Sequence, residues 1–191
     1  SRMNDVPAAC LAEMFIGNGN NHPNFLYIYF GAFIGGAIVL NGQLFNPDLK
    51  YTSSIGTIPI NLGSGYKQLL EIASLNSLEQ DLKKNGYDSK LLIMEKELPT
   101  EVQRMFDSWA EQALEGIKWS ILSINSVINT NLVIFDGHLS ENLLNEINLK
   151  LKNLLKDLKW EGTEPVSLEK GTIGINARAL GSAIIPFNNL Y

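Results

Sequence analysis

A mixed α/β fold is what this sequence predicts, and three observations carry the prediction. Phe25-Leu26-Tyr27-Ile28-Tyr29-Phe30 is aromatic and branched, Ile34 to Leu40 follows a glycine-bearing turn, and Asn41-Gly42 is a strong hairpin signal before Gln43-Leu44-Phe45. These segments read as a three-stranded antiparallel meander. Beyond Pro99-Thr100-Glu101, the apolar residues Val102, Phe106, Trp109, Ala113, Ile117 and Ile121 fall at spacings of three and four, the mark of a long helix buried along one side. Leu132-Val133-Ile134-Phe135 is a short apolar run suited to a buried strand, and Asp136-Gly137 follows it directly.

The other elements follow in chain order. Asn4 or Asp5 can cap a first helix, with Pro7 in its first turn and Ala8 to Phe15 as its body. Gly17-Asn18-Gly19 ends it. Thr52 to Leu62 reads as loop with a brief strand around Gly56 to Ile60. Tyr66 to Ala73, Ser77 to Asn85 and Asp88 to Lys96 read as short helices, punctuated by Ser74, Asn85-Gly86 and Pro99. The long helix should end at Asn129-Thr130-Asn131. A further helix begins near Ser140, Pro165 to Leu168 makes a short strand, and Ile173 to Ile184 a final helix before Pro186. No internal repeat appears. The order of elements matches the RNase H-like lobe shared by actin-like ATPases and sugar kinases.

Composition narrows the classes of function. The 191 residues are 45% hydrophobic and 18% charged, enough to build a core and too apolar for disorder. The net charge is −5, and the most basic stretch, Lys150 to Lys159, reads as a solvated helix face, so this chain is poorly suited to holding nucleic acid by itself. Cys10 is the one cysteine, which excludes an internal disulfide and a cysteine zinc cage and fits a reducing cytoplasm. Its small apolar neighbours predict a buried, inert thiol. No Gly-x-Ser-x-Gly elbow is present for a serine hydrolase. Phe25 to Leu40 is broken by glycines and too short for a membrane span. The start lacks the apolar core of a signal peptide, and the abrupt opening suggests a fragment.

Three stretches together resemble the ROK family (repressors, open reading frames and kinases). Asn4-Asp5-Val6-Pro7-Ala8-Ala9-Cys10-Leu11-Ala12-Glu13 resembles the family's Asn-Asp-Ala/Val-x-Ala-Ala-x-x-Ala-Glu. Phe30-Gly31-Ala32-Phe33-Ile34-Gly35-Gly36, running on to Asn41-Gly42, is similar to its glycine hairpin Gly-Thr/Ser-Gly/Phe-Ile-Gly-Gly-Gly. Asp136-Gly137-His138-Leu139-Ser140 looks like its nucleotide-lobe Gly-Gly turn, and Ala179-Leu180-Gly181-Ser182-Ala183 completes the set. The resemblance spans nearly the whole chain. It implies one C-terminal lobe over residues 1–191, with residues 1–20 as a helix linking to a first lobe. That first lobe and any DNA-binding domain would lie outside this sequence.

The resemblance also assigns roles. Asp5 matches the family's catalytic base, and Asn4 with Asp5 can hold sugar hydroxyls; a plain helix cap remains open for both. Gly31, Ala32, Gly35, Gly36 and Gly137 fall on the phosphate- and nucleotide-binding turns, but Ala32 lacks the family's Thr or Ser hydroxyl and bulky Phe33 follows it. Ser54 and Thr57 take the Glu and His positions of the family's Gly-Glu-x-Gly-His, so neither a charged sugar clamp nor a zinc ligand is expected there. His22 reads as a surface residue and His138 as a solvated turn residue that can border a cleft. Trp109 and Trp119 read as core or dimer packing on one side of the long helix.

The resulting expectation is the sugar-sensing and oligomerisation domain of a ROK-type transcriptional regulator without kinase activity. Its partners would be a small carbohydrate and further copies in a dimer or tetramer, with DNA reached only through a separate N-terminal domain and no membrane contact. No cofactor and no metal are expected. ATP and Mg would enter only for the rival reading, an active ATP-dependent sugar kinase; a ligand-free structural lobe is the other rival.

Overall fold

The computed structural model describes residues 5–45, 54–63 and 65–174 of the chain. Helix α1 (Asp5–Ile16) leads to strands β1 (Phe25–Phe30), β2 (Gly35–Leu40) and β3 (Gln43–Leu44). A 3-10 turn at Ile55–Thr57 precedes the small hairpin of β4 (Pro59–Asn61) and β5 (Tyr66–Gln68). Helices α2 (Leu69–Ala73), α3 (Leu75–Lys84), α4 (Leu91–Met94) and α5 (Thr100–Asn125) follow, then β6 (Leu132–Gly137), α6 (Glu141–Lys156) and β7 (Ser167–Lys170). The main sheet has the order β3-β2-β1-β6-β7. β1, β2 and β3 pair antiparallel as the expected meander, whereas β6 runs parallel to β1 and β7 parallel to β6. Asn41 (φ 54) and Gly42 (φ 73) both adopt the left-handed backbone that a tight two-residue hairpin requires.

Each face of the sheet buries a different core. Phe25, Tyr27 and Tyr29 of β1, with Leu132 and Ile134 of β6, pack under α1. Leu26, Ile28 and Phe30, with Val133 and Phe135, face the layer of α2, α5 and α6. The alternation is the period-2 geometry of a strand, and β1 is buried on both sides because helices cover both. Small residues Ala8, Ala9, Cys10 and Ala12 let α1 lie close to the sheet. On the other face, α2 meets α5 at Gly116, where a Cβ would come within 2.6 Å of the end of Ile72.

Several sequence expectations need correction. Tyr66 to Gln68 is a strand, not the start of a helix: these three residues pair with Pro59–Asn61, and helix α2 starts at Leu69 behind a capping box between Gln68 and Glu71. The brief strand expected at Gly56 to Ile60 is a 3-10 turn followed by β4. The helix expected from Asp88 shrinks to Leu91–Met94, and α5 stops at Asn125 rather than beyond Ile128. Asn125 explains that stop, since its side chain accepts from Thr130 N and donates to Thr163 and the Glu164 carbonyl. Trp109 is buried but Trp119 is 47% exposed; ten residues turn a helix to about 80° away, not onto one side. Lys152, Lys156 and Lys159 are exposed as expected, while Lys150 bridges Asp107 and Glu146. The final helix expected from Ile173 falls almost wholly outside the described residues.

Gly116→Val should lower stability by about 1–3 kcal/mol, because a branched side chain would be forced into the α2–α5 contact. A shift of the chemical-denaturation midpoint at unchanged slope would show it; an unchanged midpoint would mean that the contact opens without cost.

Candidate functional site

The parallel strands β1, β6 and β7 end together, and ligands of open α/β sheets bind outside such carboxyl ends. Glycines at these ends bring the start of α1, the β1–β2 turn and the Ile55–Thr57 turn close together. A Cβ on Gly35 would lie 2.7 Å from Val6, so the first turn of α1 sits beside the β1–β2 turn. A Cβ on Gly36 would lie 2.8 Å from Ile55, and one on Gly56 3.0 Å from the Ile34 carbonyl. These contacts bring Ser54 and Thr57, on either side of Ile55 and Gly56, to the same place. Gly137 fits against the backbone of Phe30, where a Cβ would approach the carbonyl oxygen to 2.4 Å. Backbone placement puts Asp5 at the start of α1; its side chain and the whole of Asn4 lie outside the described residues.

The glycine turn is held from behind. The carbonyls of Gly31 and Ala32 accept from the Leu75 and Asn76 amides at the N-terminus of α3, at 3.0 and 3.2 Å. Ser74 is the pivot: its hydroxyl accepts from Ile34 N at 3.0 Å and donates to the Leu70 carbonyl, and its own carbonyl accepts from Trp109 Nε1 at 3.2 Å. Ala32 and Phe33 stay exposed, Phe33 by 67%. Ser54 and Thr57 are exposed too, and the Thr57 hydroxyl donates to the Ser54 carbonyl at 2.7 Å. His138 is half-buried with its ring 6.4 Å from that of Tyr29, and its amide donates to Phe30, so it is less solvated than its sequence setting suggested. His22 is exposed and Cys10 fully buried; burial and the nearby Glu13 charge push the Cys10 thiol up, away from the reactive thiolate.

Sequence reasoning missed a pair of buried carboxylates. Glu13 and Asp136 both have no exposed surface. Glu13 accepts from the amides of Asn18, Thr172 and Ile173 at 2.9, 2.6 and 3.0 Å. Asp136 accepts from Gly137 N at 2.8 Å and Gly174 N at 2.9 Å. The two side chains therefore hold the segment after β7 against the strand ends. Burial raises the Asp136 carboxyl to about 6, with the Glu13 charge adding to the rise and the two amide bonds and Lys170 opposing it. The signal available in the sequence was Asp136 standing where the family's turn has glycine. Among the described residues, no group of three or more His, Cys, Asp or Glu side chains is placed to hold a metal ion.

A five-stranded mixed sheet with helices on both faces, carrying glycine turns at the ends of its parallel strands, defines an RNase H-like lobe of the actin-like ATPase and sugar-kinase type. The ROK family profile matches residues 2–187, and the chain belongs to that family. Solved structures agree on the fold. A ROK hexokinase from Thermus thermophilus superposes with a TM-score of 0.69 at 20% identity, over 98% of this chain and 64% of that one. A Streptococcus pneumoniae ROK family protein in complex with sucrose gives 0.71 at 16% identity, over 97% and 66%. A ROK family transcriptional regulator homologous to the E. coli MLC protein gives 0.67 at 20% identity, over 96% and 50%. The chain thus spans less than two thirds of the length of these proteins. No curated protein sequence matches it.

Asp136 carries a pH signature. Its carboxyl titrates at about 6 in the folded chain against 3.8 for an ordinary aspartate. Between those values the folded state binds the extra proton, so this contribution to stability is present at low pH and is lost as the pH rises through about 6. Melting curves of the wild type and Asp136→Asn between pH 4 and 7 should show the stability difference moving against the wild type as pH rises. A difference that is flat with pH would show that Asp136 titrates normally.

Proposed function

We propose that the chain is the sugar-sensing lobe of a ROK-type transcriptional regulator and does not transfer phosphate. The observation that carries this reading is Asp136, a fully buried carboxylate at the turn where the resemblance places a Gly-Gly nucleotide contact. A second buried carboxylate, Glu13, adds to its field, and the adjacent cation Lys170 is paired with Glu141 at 2.6 Å. A polyphosphate brought to these strand ends would meet negative charge in a medium of low dielectric, which is repulsive. The neutral Ser54 and Thr57, and Ala32 without a hydroxyl, support the same conclusion, since phosphoryl transfer needs charge stabilisation and an oriented nucleophile. Sugar hydroxyls need only donors and acceptors, which Asn4, Asp5, Ser54 and Thr57 supply by residue type.

On this reading the effector is a small carbohydrate held between this lobe and a first lobe, and closure around it moves a DNA-binding domain. The protein works as a cytoplasmic dimer or tetramer without ATP, magnesium or zinc. Among the described residues no helix is long and apolar enough to cross a membrane. One observation favours the kinase reading: the glycine turn is firmly anchored while Ala32 and Phe33 face solvent, as a phosphate loop would require.

The full-length protein decides between them. A panel of sugars should contain one that raises the melting temperature; a ligand at a hundredfold excess over its Kd adds about 2.7 kcal/mol. With that sugar, ATP and magnesium, a coupled assay should detect no ADP. Sugar-dependent ADP production would overturn the proposal in favour of a kinase. A panel without any thermal shift would leave a purely structural lobe.

A further inference from the structure

The β4–β5 hairpin and the second half of α5 line a cavity of about 350 Å³, within the range of small-molecule sites. It shares no residue with the cleft at the strand ends. Ile58 and Ile60 give it apolar surface, and among the described residues no Asp, Glu, Lys, Arg or His lines it.

Two pairs of side chains form the rest of its wall. Asn61 and Tyr66 lie directly opposite each other in the hairpin, so they share one face of it. Trp119 and Ser123 are neighbours one turn apart on α5. Each pair sets an aromatic ring beside a neutral polar group. Both rings are open to solvent, Tyr66 by 76% and Trp119 by 47%. Trp119 is nevertheless held in place: its indole N–H donates to Glu115 Oε1 at 2.9 Å, and the Lys118 ammonium lies 5.1 Å from its ring centre. Lys118 and Glu115 also pair with each other at 2.6 Å, so their charges cancel beside the ring. An exposed indole fixed in this way loses little freedom when a ligand settles on it.

A charged ligand would give up hydration here without gaining a counter-ion. A wholly apolar one would strip water from the Asn61 amide and the Ser123 hydroxyl and offer them nothing in return. A sugar ring meets both demands, because its C–H face packs on an aromatic ring while its hydroxyls donate and accept at the rim. We propose that this cavity binds a neutral carbohydrate, with a sugar ring against the exposed aromatic side chains Trp119 and Tyr66 and its hydroxyls on Asn61 and Ser123. It is a second carbohydrate site, apart from the cleft, and stands whether that cleft serves a regulator or a kinase.

NMR titration of the full-length protein tests it, followed at the Trp119 indole N–H resonance (assigned by its loss in Trp119→Phe). That signal reports this cavity whatever the cleft binds. Maltose, cellobiose or N-acetylglucosamine should shift it saturably, with a Kd on the order of millimolar or tighter, and the apolar control cyclohexanol should bind about tenfold more weakly. Tyr66→Ala should weaken sugar binding about fivefold, and Ser123→Phe, which fills the cavity, should abolish it, with melting temperatures unchanged in both. No saturable shift with any of the three sugars, equal binding of cyclohexanol, or indifference to both substitutions would each overturn the site. So would a fall in the sedimenting mass on Trp119→Ala, which would make this surface an interface between copies of the chain.

Discussion

The parallel pairing of β1 with β6, from Leu26 opposite Val133 to Phe30 opposite Gly137, is the constraint on which the rest of this molecule depends. Two strands a hundred residues apart in sequence must finish level with one another. Parallel neighbours need a covered crossover, and here the crossover contains the remainder of the meander, the small hairpin and the four helices α2 to α5. Because β1 and β6 end at the same height, the glycine turn after one and the Asp136-Gly137 turn of the other become neighbours. Gly137 pairs with Phe30 so closely that no Cβ fits between them.

The crossover also supports the site it creates. Helix α3 begins under the glycine turn, and its first amides donate to that turn's carbonyls. Ser74, between α2 and α3, ties Ile34 to Leu70 and to Trp109 of α5. A turn held at three points by hydrogen bonds presents its outward backbone in one arrangement, the preorganisation that ligand binding and catalysis alike reward.

The sheet was legible in the sequence because its signals are local. The Asn41-Gly42 turn, the aromatic run Phe25 to Phe30 and the spacing along α5 each declare themselves within a few residues. The segment from Tyr66 to Met94 was less legible. Tyr66-Lys67-Gln68 has no strand pattern of its own; its pairing with Pro59–Asn61 is a tertiary fact. The grouping of Gly31, Gly35, Gly36, Gly56 and Gly137 was foreshadowed by their type, since glycines mark close backbone approach. Glu13 and Asp136 were different. One lies in the middle of a small-residue helix and the other at a strand end, and only folding reveals that both reach the amides of one segment.

That segment imposes a rule on how this protein can vary. Gly171 lies so close to Asp136 that a Cβ there would come within 2.8 Å of the carboxyl group. The two positions therefore form one lock: a side chain at 171 is tolerated only if position 136 gives up its own Cβ. Among descendants of this chain the two sites should drift as a couple, and a lineage that acquires glycine at 136 is the one released to vary at 171.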